Sequence, residues 1–96
     1  MIEDCIIENV LKLEAIGTSS IEHSALYYLP EQAIEIPENS ALVMDSVTIR
    51  NMTTHCIKVE GELRLVNVSF SYMQENSIYV GKTGIVHYKD VMIFRY

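Results

Sequence analysis

The chain is short of positive charge: seven Lys and Arg stand against 13 Asp and Glu in 96 residues, a formal net charge of −6. Phosphate binding needs a basic surface, so this balance excludes nucleic acid and an anionic membrane as expected partners. Long apolar runs are missing as well. None reaches the roughly 18 residues that a membrane-spanning helix requires. Glu3, Asp4 and Glu8 occupy the first nine residues where a signal peptide would carry basic ones, so none is expected there. The two cysteines, Cys5 and Cys56, form no motif and sit among apolar neighbours. Such cysteines read as buried free thiols, which favours a reducing compartment. The four glycines, Gly17, Gly61, Gly81 and Gly84, make no phosphate loop, and no serine lies in a nucleophile-elbow sequence.

What is present is apolar and repetitive. Hydrophobic residues make up 49% of the chain against 21% charged, which excludes a disordered segment. The length suits one domain over residues 1–96, with a core of modest size. Apolar–polar–apolar triplets recur at Leu11-Lys12-Leu13, Ile34-Glu35-Ile36, Ile57-Lys58-Val59 and Ile78-Tyr79-Val80, with 23, 23 and 21 residues between their first members. Small residues, Ala33, Cys56 and Ser77, precede three of them. Turn formers follow at Pro37-Glu38, Glu60-Gly61 and Gly81-Lys82. A second family, Val47-Thr48-Ile49, Val68-Ser69-Phe70 and Val91-Met92-Ile93, repeats at 21 and 23, each behind a polar residue: Ser46, Asn67 and Asp90. A third run lies just upstream of each, at Ala41–Met44, Leu63–Val66 and Gly84–His87.

Repetition at this period predicts stacked coils. The expected fold is all-β: a short parallel β-helix, or solenoid, of four to five coils of 20–23 residues. Its coils run Val10–Gln32, Ala33–His55, Cys56–Asn76 and Ser77–Tyr96, behind a half coil that holds Ile6. Alternation sends Leu11, Ile34, Ile57 and Ile78 inward, and leaves Lys12, Glu35, Lys58 and Tyr79 as an outward column with opposite charges on successive rungs. Residues 2–16 fit an amphipathic capping helix as well as strands, because Ile2, Cys5, Ile6, Val10 and Leu13 lie near one helical stripe.

The run Ser46-Val47-Thr48-Ile49-Arg50-Asn51, the coil length and the three-strand rhythm resemble right-handed parallel β-helix proteins of the pectin lyase-like superfamily. The likeness covers residues 33–96 well and 1–32 loosely. It implies a polar ladder at Ser46, Asn67 and Asp90, stacked inside a corner and bonded to backbone groups left unpaired there. Members of that superfamily range from polysaccharide lyases and hydrolases to tailspikes, adhesins and non-catalytic interaction domains, so fold alone does not choose a function.

Little chemistry is spelled out. Asp45 and Asp90 are the best acid candidates for a glycosidase, two coils apart, with Asn67 between them. His23, His55 and His87 recur every 32 residues, about one and a half coils, and share no column or metal-ligand spacing. No motif calls for a cofactor or a metal. Aromatic side chains gather in the last coil, where Tyr79, Tyr88, Phe94, Arg95 and Tyr96 form the candidate binding face. The pattern there remains strand-like to Tyr96, which leaves a sheet edge and an apolar end to be covered. The expected function is a non-enzymatic structural or binding module of a larger assembly of fibre, tailspike, adhesin or scaffold type. Its partner would be a second copy or another protein chain. A carbohydrate-active protein with a glycan ligand and an intracellular protein-interaction domain are the alternatives.

Overall fold

A computed structural model describes residues 2–4, 6–8, 13–53, 55–73 and 76–94, with the backbone alone at Ile7, Glu8, Met73 and Phe94. The described residues form fourteen strands and no helix. They are β1 (Ile2–Glu3), β2 (Ile6–Glu8), β3 (Leu13–Glu14), β4 (Thr18–Glu22), β5 (Ala25–Leu29), β6 (Ile34–Ile36), β7 (Ala41–Asp45), β8 (Thr48–Met52), β9 (Ile57–Val59), β10 (Glu62–Val66), β11 (Ser69–Met73), β12 (Ile78–Val80), β13 (Ile85–Lys89) and β14 (Met92–Phe94). Every third strand pairs in parallel. One sheet runs β1-β4-β7-β10-β13, a second β2-β5-β8-β11-β14, and a third β3-β6-β9-β12. The molecule is a parallel β-solenoid: four three-stranded coils, with β13 and β14 opening a fifth.

The repeat seen in the sequence sets the register. Ile34, Ile57 and Ile78 stack, as do Ile36, Val59 and Val80. In the second sheet Leu26, Ile49, Phe70 and Ile93 form one inward column. In the first, Leu42, Leu63 and Val86 stack beside Met44, Leu65 and Tyr88. No single coil encloses its own apolar face. Each inward side chain is therefore covered by its equivalents on the rungs above and below. Ala33, Cys56 and Ser77 are buried, as small residues must be where the coil turns tightly ahead of the third sheet.

The first coil departs from expectation in three ways. Leu13, not Leu11, pairs with Ile34, and Glu14, not Lys12, pairs with Glu35. A shift of two residues keeps the same face inward, so alternation cannot distinguish these registers. Buried Ala15 decides it, because its amide donates to the carbonyl of Glu35 at 2.9 Å. The outward column thus reads Glu14, Glu35, Lys58, Tyr79, and its charges do not alternate from the start; Lys12 lies outside the described residues. Instead of a capping helix, the described part of residues 2–16 holds the strands β1, β2 and β3 and residues that flank them. These strands find a parallel partner one rung away, which a helix could not do.

The corners explain the polar residues. Asp4, His23, Ser46, Asn67 and Asp90 each follow the strand of the first sheet, and all five have positive φ, between 49° and 59°. Asn and Asp tolerate this left-handed backbone better than most residues. Among the described residues, every asparagine (Asn39, Asn51, Asn67 and Asn76) is in that conformation. The ladder is made by main chain. His23 N–H donates to the Asp45 carbonyl at 2.9 Å, Ser46 N–H to Val66 at 2.9 Å, and Asn67 N–H to Lys89 at 3.0 Å. Asn67 and Asp90 side chains are exposed, so this is not an internal side-chain ladder: the backbone already satisfies the corner.

Candidate functional site

The described members of the sequence-predicted binding face fall on three sheets. Tyr79 lies on β12 and points outward. Its ring centroid is 5.2 Å from that of His55, beside a cleft also lined by Gln32 and Lys58. Tyr88 lies on β13 in the inward column above Met44 and Leu65. Phe94 closes β14, with its backbone in register with Ser71. Arg95 and Tyr96 lie outside the described residues.

What the last three strands share is an uncovered inward set. Val80, Tyr88 and Ile93 are 45%, 75% and 55% exposed, whereas the residues one rung below them, Val59, Leu65 and Phe70, are buried. Strands β12, β13 and β14 are edge strands of their sheets, so this apolar patch is rimmed by backbone groups available for pairing. Polar contacts border it. Glu62 accepts from Arg64 Nε at 3.4 Å and contacts His87 Nε2 at 3.1 Å.

The acid candidates are not assembled. Asp45 shares a column with Val66 and Lys89, and Asp90 shares the next one with Ser46 and Asn67. Asp45 Oδ1 accepts from Ser46 Oγ at 3.0 Å. The cleft beside Asp90 is lined by Asn67, Ser69, Val91 and Met92 and holds no second carboxylate. The three histidines are also separate: His23 at a corner, His55 against Tyr79, His87 against Glu62. No group of three or more His, Cys, Asp or Glu among the described residues is placed to hold a metal ion. Burial pushes the Cys56 thiol up to about 12, so it is a packing residue and not a nucleophile.

A second surface was not evident in the sequence. On the outward side of the second sheet, the Arg50 guanidinium sits 5.1 Å from the Tyr72 ring centroid and 5.9 Å from that of Tyr27. Tyr28, Asn51 and Tyr72 occupy equivalent places in β5, β8 and β11, all at positive φ (62°, 62° and 56°). Next to them opens a cleft of about 370 Å³ that includes Leu29, Pro30 and Met52. The repeat spacing places Tyr27 directly below Arg50. The left-handed residue that brings Tyr72 alongside has no signal in apolar alternation.

No protein-family model matches the chain, and searches of curated proteins and of solved structures return no match. The fold and its surfaces define a class, the parallel β-solenoids, and the functional argument rests on the surfaces themselves.

Proposed function

We propose that the chain is a non-enzymatic structural or binding module that joins a larger assembly through its C-terminal coil, with a second copy or another protein chain stacking on it. One observation carries the reading: the inward columns that are buried in every inner coil end at Val80, Tyr88 and Ile93, which are 45%, 75% and 55% exposed. Contiguous apolar surface bounded by polar residues marks an interaction site. Edge strands supply the second half of the recognition, because an added strand pairs with their free backbone groups. A parallel solenoid accepts such a strand without change of its own geometry.

The finer placement, among right-handed β-helix proteins of pectin lyase-like type, belongs to the same proposal. Three-strand coils of 21–23 residues and the run Ser46–Asn51 support it. Asp45 and Asp90 sit in different columns, and the cleft that Asp90 lines holds no second carboxylate, which favours a module over a glycan-cleaving enzyme.

Hydrogen exchange at two concentrations tests the reading. Amides of β12, β13 and β14 should gain protection as concentration rises, while those of β8 stay unchanged. Equal exchange at both concentrations would argue that no second copy stacks on this coil.

A further inference from the structure

We infer that the outward face of the second sheet carries a separate binding site for a peptide segment of a partner protein, one that presents a carboxylate next to an apolar side chain. The reasoning starts with Arg50. It is exposed, and among the described residues it forms no ion pair, although acidic residues outnumber basic ones almost two to one in the chain. Lys58 and Arg64, by contrast, lie 3.7 and 3.4 Å from Glu60 and Glu62. The neighbours of Arg50 are aromatic. Two tyrosine rings within about 6 Å of the guanidinium hold it by cation–π attraction and restrict its rotamers. A guanidinium fixed this way keeps its N–H edges free, and the chemistry that fits them is a carboxylate bound by two parallel hydrogen bonds.

The backbone supports a recognition role. A bulky residue at positive φ is uncommon, and such strain persists where the side chain is needed in that direction. Asn51 is an ordinary occupant of this position; Tyr28 below and Tyr72 above it in the column are not. Both are exposed large side chains. Between them lies the cleft containing Leu29, Pro30 and Met52. Its apolar lining suits an aliphatic or aromatic side chain. Tyr28, Asn51, Thr53 and Tyr72 complete its lining, and Thr53 Oγ1 donates to the Leu29 carbonyl at 3.2 Å. Tyr, Arg and Met are the residue types that concentrate in the binding cores of protein interfaces.

The test is selection of a random displayed peptide library on the immobilised protein, counter-selected on Arg50→Gln. Enriched peptides should share Asp or Glu adjacent to Leu, Ile, Met or Phe. Synthetic versions, followed by fluorescence polarisation, should lose about tenfold or more in affinity on Arg50→Gln and on Tyr72→Ala. Arg50→Lys keeps the charge without the fork and should lose affinity too, and binding should weaken with added salt. Circular dichroism identical to that of the wild type shows that each variant is folded. Enrichment of peptides without acids, or equal binding to Arg50→Gln, would overturn the inference. So would a uronic-acid oligosaccharide, run in parallel, that saturates the wild type and not Arg50→Gln while no peptide does. The Tyr88→Asp variant should bind the peptides normally, which separates this site from the stacking end.

Discussion

A Cβ atom on Gly61 would lie 2.1 Å from the Ser40 carbonyl oxygen and 2.3 Å from that of Pro37. The cause is the length of one turn. Four residues, 37–40, link β6 to β7, and four, 81–84, link β12 to β13, but only Glu60 and Gly61 link β9 to β10. This two-residue deficit is why the period drops from 23 to 21 there. The shortened turn lies against the one below it, with Glu60 and Gly61 N–H both donating to the Ile36 carbonyl, at 2.8 and 3.0 Å. Gly61→Ala should therefore cost about 3 kcal/mol in urea unfolding, because both obstacles are backbone. Gly81→Ala, whose nearest neighbour is the Glu60 side chain at 3.4 Å, should stay within about 0.5 kcal/mol.

Corner residues are chosen for backbone conformation. Asn67 has φ 53° and an exposed side chain. Asn67→Gly should be neutral or slightly stabilising, and Asn67→Val should cost about 1–2 kcal/mol. A substantial loss in the glycine variant would instead reveal a side-chain ladder. Thermal unfolding of the two variants distinguishes these outcomes.

Burial depends on neighbours along the stack. Phe70 is buried between Ile49 and Ile93, and Phe70→Ala should cost about 3–5 kcal/mol, a large part of the stability of a small domain. Ile93 lies one rung higher and is half exposed, so Ile93→Ala should cost markedly less. Chemical denaturation measures both. Equal losses would contradict a stack whose outermost rung is open.

Cys56 couples stability to alkaline pH. Burial raises its thiol from an ordinary value near 9 to about 12 in the folded chain. The unfolded chain thus loses the proton first, and the contribution is complete below pH about 9 and falls as pH rises toward 12, by about 1.4 kcal/mol per unit. Against Cys56→Ala, which removes this titration and leaves the others, the wild type should lose about 2 kcal/mol of its relative stability between pH about 8 and about 10.5. Alkylation by iodoacetamide should likewise follow unfolding.

The inner coils were legible in the sequence because two signals agree there. Alternation fixes which side chains of Ile34-Glu35-Ile36 face inward, and the constant spacing to Ile57 and Ile78 fixes the rung. In the first coil both Leu11-Lys12-Leu13 and Leu13-Glu14-Ala15 satisfy alternation, so the register was ambiguous by two residues and a helical stripe competed over 2–16. The polar identity of Ser46, Asn67 and Asp90 pointed to corners correctly, but a left-handed φ and a side-chain ladder draw on the same residue types. The Arg50 cluster was hidden for a different reason. Its strand-register partner is Ser71, and Tyr72 reaches it only through a positive φ that apolar spacing does not encode.

Solution mass against concentration, by size exclusion with light scattering, tests most directly whether the C-terminal coil joins an assembly. The wild type should rise above its 11.0 kDa monomer as concentration increases, and Tyr88→Asp or Ile93→Asp should hold it at the monomer. A wild type that stays at 11.0 kDa at every concentration would contradict self-stacking. A mass that rises equally in both variants would contradict the coil itself as the contact face.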